Sequence, residues 1–112
     1  MNDSPPAAPG GSATAFRLVA ADGRLAAEGP LTFATARRAR ELGEPFIARA
    51  ATALELDCRG ITTSDSAGLA VLLDWLGTAR HAGGNLRYTH LPAGLAALAR
   101  ISEVEEFLTR GV

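Results

Sequence analysis

Between Thr52 and His90 the hydrophobic period changes twice, and that succession leaves few folds open. Thr52 to Cys58 alternates, with Leu54, Leu56 and Cys58 on one face and Ala53, Glu55 and Asp57 on the other, which predicts a strand buried on one side. From Ser66 to His81 the positions Leu69, Leu72, Leu73, Leu76 and Ala79 recur at helical spacing, and Gly83, Gly84 and Asn85 supply residues that end a helix. Leu86, Tyr88 and His90 then alternate again as a strand. A strand, helix, strand unit needs a right-handed crossover and makes its two strands parallel. The class is therefore α/β.

The flanks fit around this unit. Phe16, Leu18 and Ala20 alternate with Arg17 and Val19, and the turn signal Asp22-Gly23 leads to Leu25 and Ala27, so a β-hairpin is expected. After a break at Gly29 and Pro30, Leu31, Ala34 and Leu42 predict a helix over 31–42, stopped by Gly43 and Pro45. Pro92 opens a short Ala/Leu helix, and Ser102 begins a last amphipathic one with Val104, Phe107 and Leu108. The expected architecture is a mixed sheet of four to five strands, with an N-terminal β-hairpin and helices packed mainly on one face. Residues 1–14 are mostly Pro, Ala, Gly, Ser and Thr, the composition of a flexible tail, which leaves one domain over 15–112.

Charge and cysteine content exclude several classes of function. Net charge is −1 and the eleven basic residues, all Arg, are spread from Arg17 to Arg110, so no stripe follows a phosphate backbone and no nucleic acid is expected. Arg37, Arg38 and Arg40 read as the wet face of a helix. Cys58 is the only cysteine, which rules out an intrachain disulfide and a multi-cysteine metal site; neither metal nor cofactor is expected. The longest strongly apolar run, Leu69 to Leu73, ends at Asp74, far short of a membrane span, and the N-terminus lacks the pattern of a signal peptide. A cytoplasmic protein is expected.

The chemistry concentrates where the third strand exits. Ser64, Asp65 and Ser66 fit the cap of the following helix, since their side chains accept hydrogen bonds from unpaired first-turn amides. They also lie at the carboxyl edge of a parallel strand, where ligands and partners of α/β sheets usually bind. Ser64 to Gly68 resembles a nucleophile elbow without its first glycine, and Asp74 and His90 follow in triad order, but the chain is too short for a hydrolase of that fold. No catalytic residue is expected. His81, His90 and Cys58 read as structural, and Gly83-Gly84 as turn residues. Ala67, Val71 and Trp75 are spaced by four beside the core stripe and need a cover, either a neighbour such as the C-terminal helix or a partner protein.

The segment from Ala53 to Leu73 resembles a STAS domain: Leu54-Glu55-Leu56-Asp57, a short loop, then Asp65-Ser66-Ala67-Gly68-Leu69 opening an amphipathic helix. The similarity extends through Leu31-Thr32-Phe33-Ala34-Thr35 and through Leu91-Pro92 to Leu98-Ala99-Arg100-Ile101, covering about 15–110. Anti-sigma-factor antagonists of this family carry a second serine, the phosphorylated one, where this chain has Ala67. Phosphorylation could then involve only Ser66 or Ser64, and Ser66 would add charge beside the Asp65 carboxylate. With alanine there, the sequence is more similar to the MlaB branch, the STAS subunits of inner-membrane phospholipid-transport ABC complexes. The resemblance implies a non-enzymatic protein that docks on the transporter's ATPase subunit. Thr63, Ser64, Asp65, Ser66, Ala67, Gly68, Val71 and Trp75 would form the contact, attachment to the membrane would be peripheral and without direct insertion, and a weak homodimer is allowed. The alternative it implies is an anti-sigma-factor antagonist acting by partner switching.

Overall fold

The computed structural model describes residues 15–21, 24–49 and 53–111. Four strands, β1 (Arg17–Ala21), β2 (Arg24–Leu31), β3 (Ala53–Ser64) and β4 (Asn85–Thr89), form one sheet in the order β1-β2-β3-β4. β1 and β2 pair antiparallel as the hairpin, while β2, β3 and β4 run parallel, so the sheet is mixed and four-stranded. The hairpin turn and the tail expected over 1–14 lie outside the described residues. Four helices follow in these segments: α1 (Ala36–Ala48), α2 (Ser66–His81), α3 (Ala93–Ile101) and α4 (Glu105–Arg110).

Three boundaries differ from the sequence expectation. β2 does not break at Gly29 and Pro30 but continues to Leu31, which is fully buried. The partner register explains the tolerance: β1 pairs no further than Glu28, so at Pro30 the missing N–H deprives only an edge of the sheet, and Gly29 takes φ +91°. β3 runs to Ser64 instead of ending at Cys58. Two register shifts each insert one extra residue into β3, between the partners of Ala26 and Glu28 and of Gly29 and Leu31. The alternation is thereby broken, and the next buried position after Cys58 is Ile61. Finally, the first helix is 36–48 and not 31–42, and Pro45 lies inside it.

That longer α1 is the missing cover for the α2 stripe. Val71 and Trp75 are 1% and 0% exposed, and the Trp75 indole lies directly against Gly43 of α1, where any side chain would overlap it. Phe16 packs on the same indole with ring centroids 6.1 Å apart, and Arg40 of α1 reaches Asp74 of α2 at 3.1 Å. Ala39 and Ile47 complete the buried side of α1. The neighbour is α1, not the C-terminal helix. On the other flank the Tyr88 hydroxyl donates to the Leu72 carbonyl at 2.6 Å, tying β4 to α2 inside the core. Leu95, Ala99 and Leu108 bring α3 and α4 into the same core.

The opposite face of the sheet carries charges. Arg17 pairs with Glu28, Arg87 with Glu55, and Arg59 with Asp57 at 3.0 Å. The first two pairs cross neighbouring strands and the third lies along β3, and such opposite charges suit a solvent face.

The Gly43 contact makes a two-sided prediction. Gly43→Ala drives a methyl into the indole and should destabilise by about 1–3 kcal/mol. Gly77→Ala, on the same helix pair but with nothing within 4 Å of the added carbon, should stabilise by about 0.5–1 kcal/mol through helix propensity. Thermal unfolding reads both; melting temperatures that move in the same direction would contradict the packing described.

Candidate functional site

The exit of β3 is built around one carboxylate. Asp65 takes extended angles, φ −147° and ψ −169°, and its Oδ1 accepts from the Gly68 amide at 3.1 Å, the N-cap expected from sequence. Its Oδ2 accepts from the Phe33 amide at 3.0 Å, a bond to the turn between β2 and α1. The Phe33 amide, with those of Gly68 and Ala67, holds the Asp65 carboxyl below its ordinary value of 3.8. Gly68 is buried against the end of β2, where any Cβ would collide with the Leu31 carbonyl. Glycine here is a requirement of close approach, and it brings the first turn of α2 against β2.

The Thr32–Thr35 turn is itself fixed. Thr35 Oγ1 donates to the Pro30 carbonyl at 2.8 Å and accepts from the Thr32 amide at 3.0 Å, and the Thr35 amide donates to the Thr32 carbonyl at 3.0 Å. Phe33, at the head of this turn, is 85% exposed. Sequence reasoning placed Phe33 inside a helix, and its role in the site was missed; the Leu-Thr-Phe-Ala-Thr run was the signal.

Of the residues expected to meet a partner, the structure leaves some accessible and removes others. Thr63 and Ser66 are exposed, and Ser64, Asp65 and Ala67 are half-buried at the junction. Gly68, Val71 and Trp75 are buried, so the expectation that they present a surface is corrected: Trp75 lies against Gly43 of α1, Gly68 against Leu31 of β2, and Val71 is part of the core. Trp75 Nε1 is a buried donor with no acceptor among the described residues.

The elbow-like arrangement is not assembled. Asp74 is engaged by Arg40, about 12 Å of helix away from Ser66. His90, expected to face the core at a strand end, is exposed and lies beyond β4 with φ +54°. Its ring sits 3.4 Å from Asp57 Oδ1 and 3.2 Å from the Arg59 guanidinium, at the charged sheet face. The Cys58 thiol is pushed up to about 12 by burial, with a smaller contribution from Asp57, and is a core side chain with little thiolate character. No group of three His, Cys, Asp or Glu residues could hold a metal among the described residues, and no helix among them is long and apolar enough to cross a membrane.

Asp65 generates a pH test. Because its folded pKa is depressed, the stability it contributes is present above the ordinary carboxylate range and is lost as pH falls through the folded value. Asp65→Ala should cost about 1–2 kcal/mol at neutral pH through loss of the cap. Urea unfolding should show the gap between wild type and Asp65→Ala shrinking below about pH 4; a gap of constant size down to pH ~2 would contradict the bonding described.

Comparison with known proteins agrees with this geometry. Several solved structures share the fold, two of them as follows. A murine Solute Carrier 26 family member A9 anion transporter in the inward-facing state matches with TM-score 0.58 and 21% identity over 78% of this chain and 14% of the transporter. The anti-sigma factor antagonist SpoIIAA in its unphosphorylated form matches with TM-score 0.58 and 17% identity over 85% of this chain and 84% of SpoIIAA. This chain thus spans a small part of the transporter and most of the antagonist. No curated protein matches the sequence significantly. The family described as "Mlab, STAS domain" matches residues 14–110, nearly the whole chain, and the protein belongs to that MlaB-type STAS family.

Proposed function

We propose that this chain is a non-enzymatic docking subunit that binds the cytoplasmic ATPase of an inner-membrane phospholipid-transport ABC complex and supports its assembly and activity. Membership of the MlaB-type family supports the class of partner. The observation that carries the reading is the Asp65 bridge, which ties the first turn of α2, where Ser66 is exposed, to the Thr32–Thr35 turn at the carboxyl edge of β3. A rigid surface loses little entropy on binding, which suits protein recognition. Attachment to the membrane is then peripheral, through the partner.

Ala67 argues against partner switching by phosphorylation, since it removes the hydroxyl that SpoIIAA-like antagonists would modify. Ser66 and Ser64 remain as hydroxyls, but phosphate on Ser66 would place two charges beside the Asp65 carboxylate.

Ser66 is exposed, so a large side chain there fits the free protein and clashes with anything seated on the turn. A tagged wild-type chain should recover the transport ATPase from native membranes, and Ser66→Arg should not, with its melting temperature unchanged. Equal recovery by the two proteins would overturn the docking reading.

A further inference from the structure

Independently of the docking reading, we infer that β1 is a self-association edge: a second copy of this chain pairs its own β1 antiparallel to it about a two-fold axis at Val19, joining the two sheets into one.

The two outer strands of the sheet are treated differently. β4 is closed by the end of α4, where a Cβ added to Gly111 would lie 2.8 Å from the Leu86 carbonyl oxygen. β1 is open, and its register with β2 says which backbone groups face out. Ala21 and Arg24 pair across only two intervening residues, so they exchange hydrogen bonds, and by the alternation of an antiparallel ladder so do Val19 with Ala26 and Arg17 with Glu28. The Ala27 carbonyl, of the other parity, is turned to β3, where a Cβ on Gly60 would lie 2.8 Å from it. The N–H and C=O groups of Leu18 and Ala20 therefore point away from β2. No hydrogen bond from outside the hairpin reaches them among the described residues. Such a row of outward donors and acceptors fits an added strand.

Self-complementarity identifies that strand as a second β1. In an antiparallel pairing, residues with outward backbone groups must meet residues of the same kind. An axis at Val19 sets Leu18 against Ala20 of the second copy and Ala20 against its Leu18, so all four residues exchange hydrogen bonds. Val19 then meets Val19 of the second copy in the closer, non-hydrogen-bonded position, with Cβ atoms about 5 Å apart. Val19 is 44% exposed in the single chain, and a β-branched pair across strands gains from that contact.

The usual protections of an edge are missing. β1 has neither proline nor lysine, and its pairing with β2 runs from Arg17 to Ala21 without a bulge. Its one charged residue, Arg17, is already paired with Glu28. The two-fold pairing leaves the two Arg17 residues four positions apart along the strands, about 14 Å, so they do not repel at contact range. A five-residue strand buries less than the roughly 1,600 Å² of a standard interface, which makes the association reversible.

Sedimentation equilibrium of the full chain from about 1 μM to 1 mM should show the average mass rising from one chain towards two. Ala20→Pro removes an outward N–H and no bond of the hairpin, and Val19→Lys puts two like charges at the axis. Each should raise the dissociation constant at least about tenfold, with the melting temperature of the dilute protein unchanged. Val19→Ile should keep the dimer. Register is read by Val19→Cys, which should cross-link two copies on mild oxidation, whereas Arg17→Cys should not; Cys58 is buried and does not compete. Ser66→Arg should dimerise like wild type while failing to bind the ATPase, so this inference and the docking reading fail separately. A monomer over the whole range overturns the inference, as does a dimer that survives both Ala20→Pro and Val19→Lys. So does a dimer lost only on Ile101→Lys or Phe33→Lys, which would put the contact at another exposed apolar side chain. Loss of ATPase binding by Ala20→Pro with no change in mass would make the added strand the ATPase's and overturn it too.

Discussion

Asp65 holds together two segments that are 32 residues apart in the chain, and the shape of the exposed edge depends on that junction. A carboxylate can do this because it has two acceptor oxygens and no hydrogen of its own at neutral pH: one oxygen caps α2 through the Gly68 amide and the other takes the Phe33 amide. Its short side chain reaches both only if the first turn of α2 lies against the end of β2. Gly68 permits that contact, since any Cβ there would meet the Leu31 carbonyl. The two extra residues in β3 contribute as well, carrying its pairing through to Ser64 opposite Leu31. Cap, glycine and bulges thus serve one local geometry.

Behind the junction, the core keeps α2 from moving. Trp75 is enclosed between Gly43 of α1 and Phe16, Arg40 grips Asp74, and Tyr88 hydrogen-bonds the Leu72 carbonyl. The indole N–H has no acceptor among the described residues, and its ring is held by apolar contact with Gly43 and Phe16. The consequence is a division along α2: residues from Gly68 onward belong largely to the core, while the first turn and its neighbour at Thr32–Thr35 keep exposed side chains, Ser66 and Phe33 among them. The charged sheet face stands apart from both, with ion pairs across β1–β2 and β3–β4 and along β3.

Much of this was legible in the sequence because the decisive elements carry strong periodicities. The alternation around Leu54, Leu56 and Cys58, the α2 stripe and the Asp65 cap each follow from local rules, and together with the hairpin they specify the mixed sheet. What stayed hidden depends on tertiary context. Pro30 looked like a break because the sequence does not show that β1 stops pairing at Glu28. Pro45 looked like a helix stop, yet α1 continues to Ala48 because Ile47 is fully buried beyond it, and packing outweighs the one backbone bond a proline forfeits. The same error concealed the cover of Trp75, since a helix ending at Leu42 cannot place Gly43 against the indole. Phe33 was hidden for a related reason: it fell inside the helix expected over 31–42, and the structure places it instead in the hydroxyl-closed turn before α1, 85% exposed.

We propose that recognition of the ATPase resides in the Asp65-linked edge and nowhere else on the described surface. Hydrogen–deuterium exchange of the full chain, alone and with the purified ATPase subunit, tests it directly. The account predicts slowed exchange confined to residues 32–37 and 62–67, with the charged strands 17–21, 24–28 and 85–89 unchanged. Protection centred on those strands, or on α3 and α4 with none at 32–37 and 62–67, would contradict it.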